Sequence, residues 1–216
     1  MSAAAKNTKD SAPGPEPDGR VRCAWIDESR LAPADFVLYR DYHDTEWGRQ
    51  LHDSSALFER VSLEAFQSGL SWLIILRKRE NFRRAFHRFD AQRVARYTAK
   101  DVDRLMADTS IVRNSAKIEA TIANARAVAD LSDAGVDLGE LLWSFAPASR
   151  PRPADMSKVP AVTPESTAMA KELKRRGFKF VGPTTAYALM QATGMVDDHT
   201  VDCWVPVAEH PSSRGA

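Results

Sequence analysis

Apolar positions recur at helical intervals over most of the chain, and no stretch alternates apolar with polar residues long enough to argue for a sheet. Behind Asp53, Ser54 and Ser55, all good N-caps, the stripe Leu57, Phe58, Val61 and Phe66 predicts a helix. A second should start near Ser71 and run through Trp72, Ile75, Leu76, Phe82 and Phe86. Thr98 and Asp101 have capping-box spacing, with Asp in place of Glu, ahead of Val102, Leu105 and Met106. Ile118, Ile122, Ala125 and Val128 predict a long amphipathic helix, and 138–145 a short one. Four prolines in 146–160 interrupt the pattern, as a surface crossing or an interdomain connection. Helix resumes at Thr163-Pro164, a cap followed by proline, and stops at Gly177. A short hairpin over 178–183 then leads to a last helix from Thr184 to about Thr193, ended by Gly194. The expected fold is all-α.

Composition narrows this picture at the ends and by exclusion. Residues 1–20 hold three prolines, two glycines and no large apolar residue after Met1, too little to offset the entropy of ordering. They are expected to be a disordered tail and 210–216 a flexible one, leaving one helical domain over 21–209. A net charge of +1 across 216 residues excludes a uniformly basic nucleic-acid coat but not a local patch. Cys23 and Cys203, 180 positions apart, cannot build a disulfide-rich scaffold. No apolar run approaches the roughly 20 residues of a membrane span, and the first 20 residues lack the apolar stretch of a signal peptide. The expectation is a cytoplasmic protein with reduced thiols and no membrane partner.

Charge distribution says more than the total. Residues 77–88 hold six Lys/Arg against one Glu, and 171–179 hold five against one. Each run can be a solvated helix face. The second precedes Val181-Gly182 and a helix opening at Thr184, an arrangement that presents backbone N–H groups to a phosphate. That is the outline of a helix-hairpin-helix clamp on a DNA backbone. Two further groups carry possible chemistry. His199 and Cys203 lie four apart, which on a helix points both at one spot. With Cys23 and His43 they would complete the closed Cys2His2 set of structural zinc, although each alone reads equally as an ordinary buried side chain. Trp25, Tyr39, Tyr42, Trp47 and Trp72 crowd the first third of the chain around Glu64. Rings at helical spacing are usually core. Several rings with one acid also suit a flat, electron-poor or cationic ligand.

The segments RCAW (22–25), YHDTEWG (42–48), LEAFQSGLSW (63–72), LRKRENFRRAFHRFD (76–90), LLWSF (141–145) and KRRGFKFVGPTTAYALMQATGMVDDH (174–199), the stretch 111–126 and Cys203 together resemble one family. It is DNA-3-methyladenine glycosylase I, of the helix-hairpin-helix superfamily. The resemblance runs in order over about 180 residues. It implies zinc held by Cys23, His43, His199 and Cys203, stapling the two ends of the chain. It also implies Glu64 and Tyr42 as the catalytic pair, Trp25, Trp47, Trp72 and Tyr39 around the base, and Lys179, Val181, Gly182 and Thr184 at the DNA backbone. The implied activity is hydrolysis of 3-methyladenine from alkylated double-stranded DNA without strand cleavage, by a monomer. A zinc-stabilised module that binds damaged bases without cutting is the alternative.

Asp197 departs from the family's usual asparagine. It can stabilise developing positive charge or be an exposed acid at a helix start.

Overall fold

The structure, a computed structural model, describes residues 18–207. Most of the first expected tail and all of the second lie outside the described residues. Asp18, within the first, is exposed and pairs with the buried Arg22 at 2.7 Å.

Among the described residues the elements are all helical: α1 Pro33–Thr45, α2 Ser54–Gln67, α3 Trp72–Ala85, α4 Ala91–Val94, α5 Ala99–Ala107, α6 Ser115–Asp133, α7 Leu138–Trp143, α8 Pro164–Arg175 and α9 Pro183–Ala192, with short 3-10 turns between. No strand occurs among them, and no helix is long and apolar enough to cross a membrane.

The sequence's caps act where expected. Asp53 accepts from Ala56 N–H at 2.8 Å, and Thr98 with Asp101 closes the capping box of α5. α8 ends with Phe178 N–H reaching Leu173 O and Gly177 N–H reaching Lys174 O, a Schellman stop that requires the left-handed Gly177 (φ +92°).

α2 occupies the centre. From Leu57 through Phe66 all but Glu59 are buried, because α3, α6, α7 and α9 pack around it. A helix enclosed on every side is ordinarily apolar all round. This one buries Arg60 and Glu64 among the hydrophobes. α8 and α9 form an antiparallel pair, and α9 lies against α2.

α1 had no counterpart among the predicted helices. Its buried residues are Phe36, Tyr42, His43 and Asp44, so its inward face is mostly polar and leaves no apolar stripe to read. The proline-rich 146–160 is a crossing within one body. Val201 N–H bonds Pro153 O at 3.0 Å, and Arg152 donates to Val205 O at 2.8 Å.

The end of α9 is keyed to the 48–51 loop by backbone bonds from Gly48 N–H to Gln191 O and Leu51 N–H to Thr193 O, each 3.1 Å. Gly194 permits that approach. A Cβ there would sit 2.7 Å from the Arg49 carbonyl carbon on a backbone at φ +71°. Gly194→Ala should cost about 2–4 kcal/mol, from strain plus overpacking, read as a lower urea midpoint at unchanged m.

Candidate active site

α2 delivers Glu64, α1 delivers Tyr39 and Tyr42, the first turn of α3 supplies Trp72, and α9 brings Ala188, Gln191 and Ala192 to one cavity of about 200 Å3. Trp25 and Trp47, on the loops flanking α1, and Met156 from the proline-rich crossing complete its walls. A cavity of roughly 150 Å3 admits benzene. This one takes a somewhat larger flat ring. Its own rings meet at steep angles: Trp25 to Tyr39 at 4.8 Å and 60°, Trp25 to Trp47 at 5.2 Å and 80°, Tyr42 to Trp72 at 5.3 Å and 43°. Tilted rings make a box and leave faces free for stacking.

Glu64 is 5% exposed, and its carboxylate accepts no hydrogen bond among the described residues. Burial pushes it up to about 7, and the Arg60 guanidinium one turn earlier on α2 opposes that rise. Arg60 is itself buried, donates to Tyr42 Oη at 3.3 Å and lies 3.5 Å from Glu46. Its cation stands 5.5 Å from the ring centroids of both Tyr42 and Trp72. Burial also raises the Tyr42 phenol, so it stays an O–H donor. Trp72 Nε1–H is buried with no partner among the described residues. Sequence reasoning passed over Arg60; its one visible signal was a cation inside an apolar stripe, four residues before Glu64.

Beside this box, separated by the Trp25 and Trp47 rings, Cys23, His43, His199 and Cys203 place one ligand atom each within 4.8 Å of one another, all buried. Cys203 Sγ is 3.4 Å from His199 Nδ1 and 3.6 Å from His43 Nε2, and Cys23 Sγ is 3.6 Å from His199 Nδ1. Ligands bound tetrahedrally at zinc's usual distances stand about 3.5 Å apart, so the donor set fits such an ion.

The remaining ring nitrogens are committed elsewhere. His43 Nδ1–H donates to Asp44 at 2.8 Å and His199 Nε2–H to Trp47 O at 3.1 Å, which turns the ligand nitrogen of each ring inward. Asp44 is in turn held by Arg22 at 2.7 Å and by Trp204 Nε1–H at 3.2 Å. Cys203 is driven down by its hydrogen bond with Cys23 and by both histidines, while the same contact and burial push Cys23 up. Gly48 (φ +75°) is required here, since a Cβ would lie 3.0 Å from His199 Nε2.

The helical spacing read for His199 and Cys203 is a correction. Residues 199–203 form a turn, with Cys203 N–H on Thr200 O at 3.0 Å, and the turn brings both side chains to the cluster. Asp197 starts no helix either. It is partly buried, pairs with Arg152 at 2.9 Å and accepts from His199 N–H at 3.3 Å, outside the cavity lining.

The hairpin between α8 and α9 exposes Lys179, Gly182 and Thr184 and buries the Val181 side chain, so Val181 has only its backbone to offer. Asn124, fully buried on α6, grips both ends of Lys179: Nδ2 donates to its carbonyl at 3.1 Å and Oδ1 accepts its N–H at 2.7 Å. That clamp has no signature in the sequence.

A family model described as methyladenine glycosylase matches residues 34–206. The chain belongs to the methyladenine glycosylase family. Within it, the chain is 44% identical to the DNA-3-methyladenine glycosylase of Haemophilus influenzae over 186 residues, covering 85% of this chain and 96% of that one. It is also 44% identical to DNA-3-methyladenine glycosylase 1 of Escherichia coli over 184 residues, covering 84% and 95%. A crystal structure of a 3-methyladenine DNA glycosylase I variant in complex with 3-methyladenine superposes with a TM-score of 0.79 at 35% identity, over 88% of this chain and 98% of that one.

The Glu64 geometry fixes a stability signature for this member of the family. Its folded pKa lies above its unfolded value of 4.5, so the protonated folded form is favoured and stability falls as pH rises from about 4.5 through about 7. Glu64→Gln should therefore leave stability unchanged near pH 4 and raise it at pH 8, by on the order of 3 kcal/mol, measured by urea unfolding at both pH values.

Proposed function

We propose that this protein is a base-excision repair glycosylase that hydrolyses the N-glycosidic bond of 3-methyladenine in alkylated double-stranded DNA, without strand cleavage. It acts as a monomer in the cytoplasm. The observation that carries the reading is the buried carboxylate of Glu64, which accepts no hydrogen bond among the described residues, inside a box of aromatic rings. A cationic purine that brings N–H donors supplies what that carboxylate lacks.

The damaged base carries its own positive charge, so it is already a good leaving group. Lost base stacking is repaid by ring contacts with Trp25, Trp47, Trp72 and Tyr39 once the nucleotide leaves the helix. Glu64 accepts from the donor edge of the base, and Tyr42, held by Arg60, offers its O–H beside it. Water adds at C1′ as the C1′–N9 bond breaks; the bonding pair stays on the base, neutralising it, and the added water gives up a proton to solvent. The extruding DNA is held by the exposed Lys179 charge and by backbone N–H groups around Val181, Gly182 and Thr184. Because these are backbone and charge contacts, they carry no sequence preference.

Zinc at Cys23, His43, His199 and Cys203 would join the N-terminal segment to the C-terminal one. Four protein ligands leave no open position, so its contribution is structural.

Incubating the protein with N-methylated DNA should release 3-methyladenine. Glu64→Gln should slow single-turnover release by about 100-fold while leaving the fold intact. No release by the wild type, with tight binding of the methylated DNA, would establish a non-catalytic module instead. Purified protein should carry one zinc per chain, and Cys203→Ser should lose it together with several degrees of thermal stability. Metal-free protein of unchanged stability would sink the staple.

A further inference from the structure

Asp198 is 2% exposed and accepts from three donors. Tyr187 Oη–H reaches Oδ2 at 2.6 Å, Gln191 Nε2–H reaches the same oxygen at 2.9 Å, and Arg150 Nη2–H reaches Oδ1 at 2.7 Å. Arg150 also donates to Tyr187 Oη, which leaves the Tyr187 proton for Asp198. Asp198 thus faces only donors, and its neighbours are fixed in turn. An amide that meets a carboxylate must turn its NH2 group toward it, since two acceptors repel. Gln191 therefore cannot flip.

The consequence lies on the other side of Gln191. The residue is half-buried in the cavity wall, one helical turn after Ala188 and beside Ala192. With one Nε2 hydrogen given to Asp198, the amide's other polar atom is Oε1, which accepts no hydrogen bond among the described residues. The residues that line the cavity thus include two unused acceptors among the described residues, the Glu64 carboxylate and the amide oxygen of Gln191, held in one orientation.

We propose that Gln191, oriented by Asp198, is a specificity-determining residue whose Oε1 accepts a hydrogen bond from the exocyclic 6-amine of the bound purine. This rests on the reading of the cavity as the base site. A 6-amine has two hydrogens and can serve both acceptors. A purine with oxygen at that position would set acceptor against acceptor and bind more weakly than one with the amine. Asp198 is a positioning residue, with Tyr187 and Arg150 holding it. Arg150 comes from the proline-rich crossing, so that segment enters base selection without touching the base through Arg150.

The test uses the intrinsic fluorescence of the cavity tryptophans, titrating the purified protein with free 3-methyladenine and with 3-methylpurine, which lacks the amine. Wild type should prefer 3-methyladenine. Gln191→Met keeps the bulk and removes the acceptor; it should bind 3-methyladenine about 10-fold more weakly, the worth of one hydrogen bond, and bind 3-methylpurine unchanged. Asp198→Asn frees the amide to rotate, and it should shrink the ratio of the two affinities at unchanged metal content. An equal loss for both ligands would make Gln191 a packing residue, and no loss for either would make it a bystander; each overturns the proposal while leaving the base site standing. A wild type that binds neither ligand overturns both together.

Discussion

Everything around the cavity follows from burying the Glu64 carboxylate where no group among the described residues hydrogen-bonds it. A charge in that position costs several kcal/mol unless something compensates. The helix that carries it must be enclosed by α3, α6, α7 and α9 to exclude water, and it must be tolerated there by a nearby cation. Arg60 supplies that cation one turn away, with its own cost shared by Glu46 and two ring faces. The folded protein thus keeps a poorly solvated acid ready for a donor-bearing ligand, and accepts lower stability to do so.

The second requirement is to bring the two ends of the chain together. Trp25 and Trp47 lie early in the sequence, and Gln191 and His199 late. Arg22, Asp44, His43 and Trp204 form one connected set of hydrogen bonds that ties the first described residues to the last. The Cys2His2 cluster sits inside this set. The glycines at 48 and 194 mark where the two ends touch backbone to side chain and backbone to backbone.

Legibility in the sequence followed the kind of force at work. Helices α2, α3, α6 and α8 each bury apolar residues at helical spacing, α5 buries Leu105 behind its capping box, and local caps mark many of the ends, so pattern and caps located them. α1 escaped because its inward residues include Tyr42, His43 and Asp44, kept for chemistry rather than packing. The residues gathered around the cavity and the cluster were legible through family resemblance far more than through spacing, since Cys23 and Cys203 share no local pattern. Arg60, Asn124 and Asp198 went unseen for one common reason. Each acts through a partner distant in sequence or on another helix face, and a polar residue's partner cannot be read before the chain is folded.

The Trp25 and Trp47 rings have a further consequence. On one side they line the cavity, and on the other they meet the histidines of the cluster, Trp25 at 5.1 Å from His43 and Trp47 at 4.7 Å from His199. A single thickness of indole therefore divides the two sites. Oxidation of either cysteine would reach the base site through a displaced wall, making the ability to hold a base a hostage to thiol chemistry that never touches the substrate.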